Sequence, residues 1–198
     1  MKNIKFIFNR KKRGLAPSGV EGFTIVESLV AITILVLVVT GVTSAIQTGI
    51  SSYIFSKDQI IAFYLAQEGV EQIRNIRDEN SLKNPQQPWL TGIASSVSDP
   101  CYFGKACKVE PVFSSVATEC SGGPGNCPVL RQSSSGFFGY DSSWSPTIFR
   151  REIQITPIYP IGCSNNCTEV SISVTVDWSK GLINRQFRAR ENLFNWQQ

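Results

Sequence analysis

The chain has 198 residues, 42% of them hydrophobic and 17% charged, with no histidine. That length suits one domain with appendages, and the missing imidazole removes the commonest general base and a frequent zinc ligand. The net charge of +4 sits unevenly: Lys2, Lys5, Arg10, Lys11, Lys12 and Arg13 face only Glu21 in residues 1–22, a balance of +5 that leaves −1 for the rest. The basicity therefore implies an oriented membrane segment, with cytoplasmic Lys and Arg holding the amino end inside, and nucleic acid is not an expected partner.

Behind the basic run and a polar turn at Pro17, Ser18 and Gly19 comes GFTIVESLVAITILVLVVTGVTSAI, residues 22–46. After Glu27 no charge appears until Lys57, and about 20 predominantly apolar residues suffice to cross a bilayer. A secretory signal is cut behind its apolar region at a small-residue site; none follows here.

The order of parts, with Gly22, Phe23, Thr24 and Glu27 in front of an uncharged apolar helix, closely resembles the leader and first helix of type IV prepilins and type II secretion pseudopilins. The resemblance covers residues 10 to about 80. It implies that Gly22 ends a cleaved leader (residues 1–22), that Phe23 becomes a methylated amino terminus, and that Glu27 pairs with the amine of an adjacent subunit during assembly. The implied partners are a prepilin peptidase and methyltransferase, other pilin or pseudopilin subunits, and an inner-membrane assembly platform. The location would be the inner membrane, amino end in the cytoplasm, and then a periplasmic or extracellular filament.

Beyond the span (residues 23–50) the helix is expected to continue over 51–80. Ile54, Ile61, Leu65, Ile73 and Ile76 recur on one face, with Lys57, Asp58, Glu68, Glu71, Arg74, Arg77 and Asp78 elsewhere. Asn80-Ser81 and Asn84-Pro85 are stop signals, so one helix from Phe23 to about Asn80 would be about 85 Å long. Gly41 and Gly49 are weak points, each costing about 1 kcal/mol relative to Ala. In filaments of the resembling family the like stretch unwinds; close helix packing at small residues is the other reading.

Residues 81–146 are rich in Ser, Gly, Pro and Asn and read as a loop region tied by cysteines, with a turn cluster at Gly122-Gly123-Pro124-Gly125. All six cysteines (Cys101, Cys107, Cys120, Cys127, Cys163, Cys167) follow the span, outside the cytoplasm, where disulfides persist. Their spacing predicts neighbour pairing of 101 with 107, 120 with 127 and 163 with 167, although other connectivities are open. Zinc is the rival; without His, and with only one C-x3-C, disulfides are favoured.

Residues 147–198 read as an antiparallel sheet. Val170, Ile172, Val174, Val176 and Trp178 alternate with Ser171, Ser173, Thr175 and Asp177, and Phe149, Ile153 and Ile155 alternate with Arg150, Glu152, Gln154 and Thr156. A turn at Ser179-Lys180-Gly181 leads to a third strand, Ile183 to Phe194. The expected class is α+β, the helix's second half packing on a small sheet.

No catalytic constellation emerges, and no metal or cofactor is expected. Glu68/Glu71 and Asp78/Glu79 read as solvated helix charge, and Glu71–Arg74 or Arg74–Asp78 as helix-spaced ion pairs. Asp141 with Ser142 and Ser143 offers one carboxylate, too few for calcium. Arg150, Arg188 and Arg190 near Phe187 and Trp196 read as a mixed, solvated face. The expected function is a structural filament subunit. The alternative is a filament-tip adhesin or DNA receptor that displays residues 81–146.

Overall fold

A computed structural model describes residues 22–83, 85–110, 116–159 and 168–196, with the side chain of Tyr159 excepted. The leader up to residue 21, Asn84 of the second stop signal, and the Cys163/Cys167 pair lie outside the described residues. The chain divides into two compact units, residues 1–51 and 52–198.

The helix α1 runs Ile25–Leu82, 58 residues. It is long and apolar enough to cross a membrane. In the first unit every described side chain, from Gly22 to Ser51, is exposed. The polar side chains of this stretch bond within the helix. Thr33 donates to Val30 O, Thr40 to Val36 O and Thr43 to Val39 O, each at 2.8 Å, and Thr48 to Ser44 O at 3.0 Å. In hydrocarbon that is the available way to satisfy a hydroxyl. The helix is continuous through Gly41 and Gly49.

In the second unit α1 buries Ala62, Leu65, Ala66, Gly69, Val70, Ile73 and Ile76. Small residues thus complete the stripe read from Leu65, Ile73 and Ile76, whereas Ile54 and Ile61 are half-buried. Buried Asn80 donates to Thr91 O at 2.7 Å, which ties the helix end to the segment carrying buried Trp89, Leu90, Ile93 and Ala94.

The sheet has seven strands among the described residues: β1 Cys107–Val109, β2 Ala117–Glu119, β3 Val129–Gln132, β4 Phe138–Gly139, β5 Ser145–Tyr159, β6 Glu169–Lys180 and β7 Ile183–Phe194. All pairings are antiparallel. The long β5 organises it. One edge pairs with β6, which pairs with β7; the other is shared by β3, which carries β4, and β1, which carries β2. The class is α+β, with more strands than the three expected. Residues 81–146 are not a plain loop, because short strands within them complete the far edge of β5. Their runs of two to four residues are too brief for alternation to be visible.

In β6 the predicted alternation holds: Val170, Ile172, Val174, Val176 and Trp178 are buried and the residues between them half-buried. The two-residue turn after it is Gly181-Leu182, one position later than expected, since Lys180 pairs with Ile183. Gly181 has φ +61°, and among the described residues no non-glycine has positive φ, the pattern of a hairpin turn with Gly first.

Candidate functional site

The amino-terminal candidates lie together in the first unit. Gly22, Phe23 and Thr24 are exposed and non-helical, and α1 begins at Ile25. Thr24 is the cap: its Oγ1 accepts from Glu27 N at 3.2 Å and its carbonyl from Ser28 N at 3.1 Å. Thr24-Ile25-Val26-Glu27 therefore has the T-x-x-E form of a capping box, a signal present in the sequence but masked by the resemblance. Glu27 is exposed in the first turn, where a carboxylate also meets the positive end of the helix dipole. The cap lies on the Phe23 side of the Gly22–Phe23 bond, so cutting that bond would leave the helix start intact.

The four described cysteines of the second unit tie the segment before β5. Cys101 is bonded to Cys107 and Cys120 to Cys127, the neighbour pairing their spacing predicts. Each closes a short loop, worth about 2 to 2.5 kcal/mol in the chain-entropy model. The second loop is also clamped on the sheet: Gly125 N donates to Glu152 Oε2 at 2.6 Å, and Arg150 Nη1 donates to Gly125 O at 3.1 Å. At φ +82°, Gly125 holds a conformation that other residues rarely adopt.

The residue that sequence reading missed is Arg151. It lies on the inward face of β5, in the alternation of Phe149, Ile153 and Ile155, and is 0% exposed. Its Nη1 donates to Leu65 O at 3.2 Å and Glu68 Oε2 at 2.6 Å, and its Nη2 to Gln72 Oε1 and Val109 O, both at 3.2 Å. One guanidinium thus engages the helix and the first short strand together, using the fork that only Arg offers. Glu68 is not simply solvated charge, because it is the counter-ion of this cation. Arg74 pairs with Glu71, as helix spacing predicts, and also with Glu191 on β7; Arg77, not Arg74, takes Asp78. The hydrogen bond that Arg74 donates to the Glu191 carboxylate raises the Arg74 pKa above its usual value.

The remaining candidates are dispersed. Asp141 Oδ1 accepts from Ser143 N and Ser143 Oγ, both at 2.8 Å, and these bonds lower its pKa; the carboxylate closes a local turn. Among the described residues no cluster of His, Cys, Asp or Glu could hold a metal ion. Arg150 lies opposite Asp177, Arg188 donates to Thr175 Oγ1 at 3.2 Å, and the Phe187 ring packs edge-on against Phe63 of the helix. The aromatic ring therefore turns to the opposite face from Arg188 and Arg190, so a combined basic and aromatic patch does not form from them. No family model, curated protein or solved structure matches the chain.

Proposed function

We propose that this chain is a structural subunit, a minor pilin or pseudopilin, of a type IV pilus-like or type II secretion filament. Before assembly it would be held in the inner membrane by the first half of α1, its amino end in the cytoplasm. The second half of the helix, packed on the sheet, would carry the disulfide-bonded domain outside.

One observation carries the reading. An exposed, non-helical Gly22–Phe23 junction stands immediately before a helix that is capped by Thr24, bears Glu27 in its first turn, and has no further charge until Lys57. A peptidase needs an extended, reachable bond, and a helix that must survive the cut needs its cap on the retained side. Glu27 would then answer the positive amine newly made at Phe23, on the same chain in the membrane and on a neighbour in the filament, because a carboxylate within apolar surroundings calls for a partner.

Mass spectrometry of the mature amino terminus tests this. The expected first residue is methylated Phe23; an intact Met1, or cleavage beyond Ile46, would overturn the reading.

A further inference from the structure

The β6–β7 hairpin ends in a residue that its own fold does not explain. Leu182, second in the two-residue turn, is 102% exposed, and Ile183 beside it is 58% exposed. A single exposed leucine is ordinary, but a solvated hairpin tip is normally built from polar turn residues. Lys180 and Arg185 flank the two apolar side chains.

Where this tip lies follows from three contacts within the second unit. Arg185 stacks over the Phe55 ring, 4.2 Å from its centroid. Phe187 meets Phe63, and Glu191 meets Arg74. Residue numbers rise together on the helix and on β7, so the two elements run in the same direction. The hairpin tip therefore lies at the Phe55 end of the domain. A bilayer with its headgroups is about 40–45 Å thick, or about 27–30 helical residues, and counted from Phe23 this reaches roughly residues 50–53. Phe55 is four residues beyond Ser51, at most about 14 Å of chain however the two units are arranged. Leu182 is three residues from Arg185, about 10 Å of strand. Tyr53, exposed on the same stretch of helix, is the kind of side chain that marks such an interface.

We propose that the Gly181-Leu182 tip rests in the outer headgroup layer of the membrane that α1 crosses, with Leu182 and Ile183 at the acyl boundary and Lys180 and Arg185 on anionic headgroups. The ligand is a lipid surface, engaged as amphipathic surface elements engage it: apolar side chains below, cations above. The tip would give the domain a second foothold beside the helix before filament entry, to be released on extraction. The inference rests on the membrane-anchored reading above.

The test uses the full chain, one copy per nanodisc of mixed phosphatidylglycerol and phosphatidylcholine. Nitroxide labels are placed one at a time by Val36→Cys, Ser134→Cys and Leu182→Cys, with the unsubstituted chain as the labelling blank. The accessibility of each label to oxygen and to an aqueous nickel chelate is then compared. Expected is an oxygen-favoured label at 36, a nickel-favoured one at 134, and at 182 a shift from the value at 134 towards that at 36. If the label at 36 is in lipid while 182 matches 134, the tip is in water and the proposal is overturned with the anchor intact. If 36 is itself aqueous, the anchored reading fails and the proposal with it. An independent variant pair carries a label at Ser179→Cys, with and without Leu182→Asp. The acidic change should move that label towards the aqueous value, and no movement overturns the proposal.

Discussion

Arg151 shows how much of this domain's stability rests on one side chain. Taking a guanidinium out of water is costly, and the expense is offset only as far as its donors are met; here Glu68, Gln72 and two carbonyls meet Nη1 and Nη2, while the buried Nε has no partner among the described residues. Arg151→Leu strands acceptors from two elements and should destabilise the domain by about 3 kcal/mol. Glu68, with its side chain 39% exposed, can turn to water, so Glu68→Gln should cost about 1 kcal/mol. Urea denaturation under oxidising conditions checks both, and equal losses would contradict the asymmetry. Tyr140 lies beside this site, its hydroxyl donating to Arg151 O at 3.4 Å. Burial raises its pKa, and the nearby Arg151 charge only partly opposes this. Below about pH 10 the phenol is neutral in both folded and unfolded chains. Above that the unfolded chain ionises first, so stability present below pH 10 is lost as pH rises towards the folded pKa. In denaturation midpoints measured across the alkaline range, Tyr140→Phe should flatten the decline.

At the scale of elements, Gly69 and the second cysteine loop make opposite points about local signals. Helix propensity alone says Gly69→Ala should stabilise α1 by about 1 kcal/mol. A Cβ there would meet Val174 Cγ1 at 2.9 Å and Arg151 Cδ at 3.3 Å, and overpacking of this kind costs about 1–3 kcal/mol. The expected net result is a loss, read from the thermal or urea midpoint; a gain would mean that the side chains of β6 give way freely. In the Cys120–Cys127 loop local spacing was enough. Neighbouring cysteines seven apart close a loop whose ends the β-turn residues Gly122 to Gly125 already bring together. Replacing both by Ser should cost about 2 kcal/mol, moderated by the Gly125 bonds to Glu152 and Arg150. Non-reducing peptide mapping should recover 101–107 and 120–127, and 163–167 as the remaining neighbours in sequence; a bridge between distant cysteines would reject the pattern.

For the whole molecule, the filament reading makes Glu27 the decisive residue. Glu27→Ala should leave processing and membrane insertion unchanged, because the Thr24 cap and the apolar run remain, yet remove the protein from sheared or purified filaments. Fractionation of cells carrying the variant measures both. Normal recovery in filaments would reduce Glu27 to an interfacial carboxylate and leave assembly to apolar packing.

What the amino-acid order determined alone are the features written in consecutive residues: the uncharged run behind Glu27, the inward Val170-to-Trp178 alternation of β6, and the pairing of cysteines six or seven apart. Each arises from a period or a short loop, so neighbours in the chain suffice to specify it. The tertiary structure alone decided that residues 107–109 and 129–132 share the far edge of β5, that Arg151 on an otherwise apolar face is met by Glu68 some eighty residues earlier, and that Leu182 lies at the Phe55 end. Those outcomes depend on which strand lies beside which and in what register. Hydrogen-bond partners and burial are properties of surfaces brought together from distant parts of the chain, and no local pattern carries them.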